Sequence, residues 1–263
     1  MRTQKLTVMF FLVVLIVPGI SRAQSRSNAF HWGLDQRSRY EYWDNAIGLD
    51  RNADTGQSFT RHRNRIWFDL QASPALRLYT RITNEFRFYF KPERDFTIHE
   101  IFFDNLFFQW DLPFRKPVTL TAGRQDIMFG EGFLVMDAHP LDGSRSGYFN
   151  ALKLTISPAA NQTLLLFASA QPRVDDWLPL LNSQDQPMTE QQETAAGIQY
   201  QINNKKSLWE IYFLAKKEDE TDAWPEQIVR TLGLRRSVSF GKGWSFTGEG
   251  AWQSGRHASS RLA

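Results

Sequence analysis

From Leu76 to Lys91 the chain alternates without a break. Leu76, Leu78, Thr80, Ile82, Asn84, Phe86, Phe88 and Phe90 hold one parity. Arg77, Tyr79, Arg81, Thr83, Glu85, Arg87, Tyr89 and Lys91 hold the other. A period of two places the first set on one face of a strand and the second on the opposite face. An ordinary strand has about 5–6 residues. A tilted membrane-spanning strand needs roughly 9–11, with its apolar side toward lipid and its polar side toward a lumen. This stretch meets the second requirement.

The same alternation predicts about eleven strands, over residues 28–43, 59–71, 76–91, 98–111, 118–128, 148–157, 163–170, 194–202, 207–216, 227–240 and 244–253. In the fourth, both parities are aromatic (Phe102, Phe103, Phe107, Phe108, Trp110), so the pattern does not assign its faces. Connections alternate long and short, as the extracellular loops and periplasmic turns of outer-membrane barrels do. Tyr40, Tyr42, Trp43, Phe88, Phe90, Trp110 and Trp244 fall near strand ends, where interfacial girdles sit. The expected fold is therefore all-β, a transmembrane antiparallel up-and-down β-barrel. A soluble sandwich also shows short alternating strands, but strand length and loop alternation count against it. Eleven is an odd number, whereas single-chain bacterial barrels are even. The tail His257 to Ala263 carries no strand pattern. The expectation is that residues 24–263 form the N-terminal part of a larger barrel.

The first residues change the picture of where the chain works. Arg2 and Lys5 precede an apolar run from Leu6 to Val17, and Ser21-Arg22-Ala23 supplies small residues for cleavage. Residues 1–23 read as a secretory signal peptide, and an outer membrane of a Gram-negative bacterium is the implied destination. The chain has no cysteine, so no disulfide framework is available in that oxidising compartment. The formal charge of +3 arises from the leader, because removing Arg2, Lys5 and Arg22 leaves 28 basic against 28 acidic residues. The charge is segregated instead.

On the first three strands the polar face carries Arg37, Arg39, Arg61, Arg63, Arg65, Arg77, Arg81, Arg87 and Lys91. Asp35, Glu41, Asp69 and Glu85 are fewer. Charge on a lipid face costs about 2–4 kcal/mol at the midplane, so these groups must face water inside. A planar arginine fork suits carboxylates, and a cationic ladder would draw in an anionic solute. Alternatively, arginines and acids pair with each other and fill the lumen. Acids collect in the loops: Asp175, Asp176, Asp185, Glu190 and Glu193 in one, Glu218, Asp219, Glu220, Asp222 and Glu226 in another. They read as solvated surface, with divalent-cation bridging to lipid heads as the sharper option.

Other patterns lead nowhere. Asp50 to Gly56 is similar to a calcium loop, but its glycine is one place late and Arg61 stands where a bidentate Glu belongs. Gly143 to Gly147 is not a nucleophile elbow, since Arg145 takes the central position. The five histidines lack metal spacing, and Gly130-Glu131-Gly132 is too short for a phosphate loop. No cofactor, metal or nucleic acid is expected.

Gly123-Arg124-Gln125-Asp126, then Phe129 to Gly132, Arg145-Ser146 and Asn150 to Leu154 form a series that resembles the alginate-export family of outer-membrane barrels. The ending Gly248 to Gly255 and the Arg/Tyr-rich first strand, Arg37 to Trp43, share the resemblance. Asn150 and Lys153 depart from the family's acid and arginine. The resemblance implies an eighteen-stranded monomeric barrel, with an arginine-lined constriction that passes an anionic polysaccharide. Arg124 is the motif-matched candidate for that constriction, although its parity matches lipid-facing Leu120 and Ala122 unless Gly123 marks a bulge. Asp126, Lys153, Arg235, Glu249 and Gln253 complete the expected pore lining. The reading is a passive outer-membrane channel, not an enzyme, for an anionic polysaccharide or small anionic or polyhydroxylated solute, surrounded by outer-membrane lipid. The rivals are a barrel lipase with His62 as base and a structural or adhesive barrel with a plugged lumen.

Overall fold

The computed structural model describes residues 29–44, 56–96, 100–136, 147–241, 243–257 and 260–262. The expected leader, the calcium-like segment up to residue 55 and the stretch 137–146 lie outside them. Alternation becomes strand throughout: β1 (Phe30–Trp43), β2 (Gln57–Ser73), β3 (Leu76–Lys91), β4 (Glu100–Leu112), β5 (Val118–Gln125), β6 (Phe149–Ile156), β7 (Gln162–Gln171), β8 (Glu193–Asn204), β9 (Ser207–Glu218), β10 (Gln227–Phe240), β11 (Trp244–His257) and β12 (Ser260–Leu262). Each pairs antiparallel with its neighbours in sequence, in one up-and-down sheet. Among the described residues no ladder joins β1 to β12, so the sheet is an open wall of a barrel. The tail holds a short strand that the pattern did not indicate: β12 pairs with β11 from Gly255↔Leu262 to His257↔Ser260.

Burial is inverted relative to a water-soluble sheet. Phe30, Trp32, Leu34, Phe88, Leu152, Ile211, Leu234 and Trp252 are exposed, while Arg63, Arg65, Glu85, Asp104, Gln199, Glu210 and Arg235 are buried on the other side. That is the distribution of a sheet whose polar face looks inward and whose apolar face looks outward.

The ambiguous β4 is explained by a register shift. Arg81 pairs with Asn105 and Ile82 with Phe103, so Asp104 is left without a counterpart on β3. A bulge of one residue reverses the parity along the strand. Leu106, Phe108 and Trp110 therefore share the apolar face with Phe103, which stands in the row of Ile82 and Ile66. Phe102 stands opposite Thr83, and both are fully buried.

Two loops fold back onto the wall. The segment 126–136 turns at Gly132, whose amide donates to the Phe129 carbonyl at 2.9 Å, and Phe129 N donates to Val135 O at 2.9 Å. Its apolar residues Ile127, Phe129 and Val135 pack on the polar-face positions Ala151, Phe167 and Tyr212. Ring centroids of Phe129 lie 5.7 Å from Phe167 and 5.8 Å from Tyr212. The loop 172–192 caps the edge of β4 that β5 leaves bare. Leu181 N donates to Ile101 O at 2.7 Å, and Ile101 N donates to Asn182 Oδ1 at 2.9 Å. Leu180 and Met188 then close over Phe102 and Tyr148.

Candidate functional site

The ladder between β1, β2 and β3 stacks cations in rows across the sheet. Arg39 stands opposite Arg61, and Arg61 opposite Arg87. One row deeper, Arg37 faces Arg63, which faces Glu85. The next row runs Asp35, Arg65, Thr83. Like charges directly opposite repel, so the first row needs compensation. Glu41 supplies part of it, accepting from Arg39 Nε at 2.5 Å and lying 3.4 Å from Arg61 Nη1. The ring of Phe59 supplies more, with the Arg61 and Arg87 guanidinium carbons 5.6 and 5.4 Å from its centroid. Such cation–π contacts contribute about 0.5–2 kcal/mol.

The arginines divide into two groups. Arg77 donates twice to Asp69, at 2.8 and 2.7 Å. Arg81 donates to both oxygens of Asp104 at 2.9 Å and reaches Asp126 at 3.2 Å. Arg65 lies 3.4 Å from Asp104. These groups fill the wall by pairing. Higher on the sheet the satisfaction is incomplete: Arg37 Nη1, Arg61 Nε and Arg63 Nε are buried donors with no acceptor among the described residues. Arg63 is 5% exposed, and Asp35 is a distant partner at 3.8 Å. A buried donor without an acceptor costs about 1–3 kcal/mol, more when charged.

On the far side of the wall Arg235 pairs through both terminal nitrogens, while its Nε is buried without an acceptor among the described residues. Arg235 donates to Glu210 and Glu131, and Glu210 also accepts from Gln199 at 3.1 Å and Gln201 at 2.6 Å. Tyr212 donates to Glu249 at 2.7 Å, with its ring lying over Gly233, where a Cβ would collide with it. Gln253 donates to Thr231 at 3.0 Å. Arg235 and Glu249 are thereby brought together around the inward segment 126–136, with Glu131 on its tip. Asp126 also accepts from Asn105 at 2.9 Å and acts on Lys153 across the wall. Gln199, Glu210 and Tyr212 join this network beyond the residues expected from the sequence; their position on the polar parity of β8 and β9 is the one signal that marks them.

Arg124 departs most from its expected place. The β5 register passes Gly123 without a slip, from Ala122↔Leu152 to Arg124↔Asn150, so no bulge restores its parity. Gly123 has φ +124°, and a Cβ there would collide with the Leu106 carbonyl. The guanidinium is not presented to an open pore. It donates to Asn150 Oδ1 at 2.9 Å, to Phe103 O at 2.8 Å and to Asp175, and it stacks 4.1 Å over Tyr148. Arg124 is 1% exposed because the loop 172–192 covers it. Asp175, expected as solvated loop surface, is 3% exposed. It accepts from Asn150 at 2.6 Å and from the Trp177 and Leu178 amides at 3.0 Å each. Burial pushes its carboxyl up, but the Leu178 amide, Arg124, Asn150 and the Trp177 amide outweigh that and hold it below the usual carboxylate range.

His62, the base of the rival lipase, meets Ser38 Oγ through Nδ1 at 3.0 Å and Thr60 Oγ1 through Nε2 at 3.0 Å. A threonine hydroxyl stands where a hydrolytic triad needs an orienting acid. The pair also lies on the apolar parity of β1 and β2, away from the arginine rows.

Compared with known proteins, residues 29–263 match the family model described as alginate export. No curated protein matches the chain.

Proposed function

The chain belongs to the alginate-export family, and from that premise we propose that it is a passive outer-membrane channel whose cationic wall conducts an anionic solute, an alginate-like polysaccharide above all. The observation that carries the reading is the pair of arginine rows on β1–β3 with buried donors lacking acceptors. The apolar face meets lipid and the polar face lines the lumen. Rows along a strand repeat at about 6.6 Å, from a rise of 3.3 Å per residue. A polymer bearing carboxylates can thus engage one row before leaving the last. Conduction needs sites strong enough to admit and weak enough to release. Partial compensation by Glu41 and Asp35 keeps the rows in that range. In this reading the segment 126–136, fixed by its own apolar packing and by Glu131 on Arg235, narrows the lumen.

Reversal potentials across a bilayer in a salt gradient test this. The expected result is anion preference, strongest at low ionic strength because screening is then weakest. Replacing Arg37, Arg61 and Arg63 together with Gln should reduce the preference and leave the barrel folded. Cation preference in the native channel, or an unchanged ratio in the triple variant, would remove these rows as the filter.

A further inference from the structure

The polar face of the sheet carries two apolar patches. The first, Ala151, Phe167 and Tyr212, is covered by the inward segment 126–136. The second is a row of three rings across neighbouring strands: Trp67 on β2, Tyr79 on β3 and Phe107 on β4. All three stand on the parity of the arginines and Asp69, with Tyr79 directly opposite both Asp69 and Phe107. The row belongs to neither buried cluster, and its rings stay half-buried. Cross-strand ring pairs stabilise a sheet on either face. On a face turned to water, however, they leave apolar surface wet, and an occupant that covers it gains the burial.

The rings share an orientation. Trp67 and Tyr79 are 20° from parallel with centroids 6.5 Å apart, and Tyr79 and Phe107 are 27° from parallel at 5.3 Å. Trp67 is laid across Gly33 on β1, where a Cβ would come within 2.5 Å of its Cζ2. The indole therefore lies along the wall rather than standing on it, and the row forms a platform. Polar groups border the platform. The Arg77 guanidinium carbon is 5.4 Å from the Tyr79 centroid and 6.0 Å from that of Phe107. Arg77 uses Nε and Nη2 on Asp69, which leaves Nη1 for a guest.

The surroundings identify the guest. Trp67 continues the series Arg61, Arg63, Arg65 at successive polar-face positions of β2, so a chain moving along that strand passes from cations to rings. An aromatic face is electron-rich and attracts the positive edge of C–H bonds. A small inorganic anion or a polypeptide of carboxylates gains nothing from such a surface. A pyranose ring presents C–H bonds on its flat side and oxygens around its rim, which matches rings bordered by a guanidinium.

We propose that Trp67, Tyr79 and Phe107 form a sugar-stacking platform, which takes the C–H face of one pyranose of the conducted polymer while Arg77 binds an oxygen at the rim of that sugar. The proposal rests on the channel reading and deepens it: the arginine rows select charge, and the platform selects carbohydrate. It stands near the short turn 74–75, the periplasmic end in that reading, and so meets an exported chain before the rows do.

Single-channel recording of the full chain in a planar bilayer tests the platform, with an alginate hexasaccharide and hexaglutamate as probes carrying the same number of side carboxylates. The sugar should block the native channel for about ten times longer than the peptide, corresponding to about 1.4 kcal/mol. Trp67→Ala should remove most of that difference by shortening the sugar block and leave the peptide block unchanged. Phe107→Leu keeps hydrocarbon bulk without the ring, so it carries the same test if Trp67→Ala does not fold, and it should also shorten only the sugar block. Equal dwell times for the two probes on the native channel, equal shortening of both by the variants, or a sugar block untouched by both variants would overturn the platform. Cation preference of the native channel defeats the channel reading; anion preference with equal dwell times defeats only the platform.

Discussion

Replacing Asp175 with Ala should release the loop 172–192 while leaving the sheet intact. The carboxylate serves four donors, Arg124, Asn150 and the Trp177 and Leu178 amides. Removing one member of a buried ion pair costs about 3–5 kcal/mol, because the other charge is left uncompensated. The cost falls on the docked loop rather than on the ladders, since opening the loop lets water reach Arg124. At about 1.4 kcal/mol per factor of ten, the open population should rise by two to nearly four powers of ten. Arg173 is exposed, and its carbonyl accepts from Met188 N at 2.8 Å across the loop's base. Trypsin cuts there only when the loop opens, so cleavage in the fast-reclosing regime reads the opening equilibrium directly. The control is Asp176→Ala, which alters an exposed neighbour and should leave the rate unchanged. Similar cleavage of the native, Asp175→Ala and Asp176→Ala proteins would refute the docking argument. Acid supplies a second check. The Asp175 carboxyl is held below the ordinary range, so its contribution is complete above the unfolded value of about 3.9 and is lost as pH falls through the lower folded value. Amide exchange at Trp177 and Leu178, corrected for intrinsic rates, should therefore stay protected at pH 4; loss of protection at or above that point would contradict the arrangement.

Gly123→Ala should lower the temperature at which the folded band disappears on semi-native gels, by strain of about 1–3 kcal/mol from the positive φ plus the collision with Leu106. Gly250→Ala, which meets nothing within 4 Å, should not. Glu210→Ala leaves Arg235 only the exposed Glu131 as an acid partner and should cost about 1–3 kcal/mol in urea unfolding, with Glu210→Gln milder. Because the chain has no cysteine, a single one at Asp176 or Asp219 can be tested on intact cells with an impermeant thiol reagent. Both should react and one at Lys205 should not, and the reverse pattern would invert the sheet in the membrane.

Period-two alternation alone determined the all-β wall, and it located β3 and β10 to the residue, because each side of those strands meets a different solvent along its whole length. It also placed the arginines on one face, since parity is a local property of an extended backbone. What it could not determine was any feature depending on residues distant in sequence. The faces of β4 follow from the single unpaired residue Asp104, which is visible only against the register of β3. Which arginines are spent on pairing follows from Asp104 and Asp126 arriving beside Arg81, and which retain buried open donors follows from the single, longer contacts that Glu41 makes with Arg61 and Asp35 with Arg63. Arg124 shows the difference most plainly. Its row in β5 would put a charge among outward leucines, and local pattern allows no remedy short of a bulge. The remedy is a carboxylate 51 residues away, carried in by the loop 172–192 and aimed by its own backbone amides. Alternation records which solvent a strand's two sides face; the partner of a buried charge is fixed by where loops return, and that is decided only when the chain has folded.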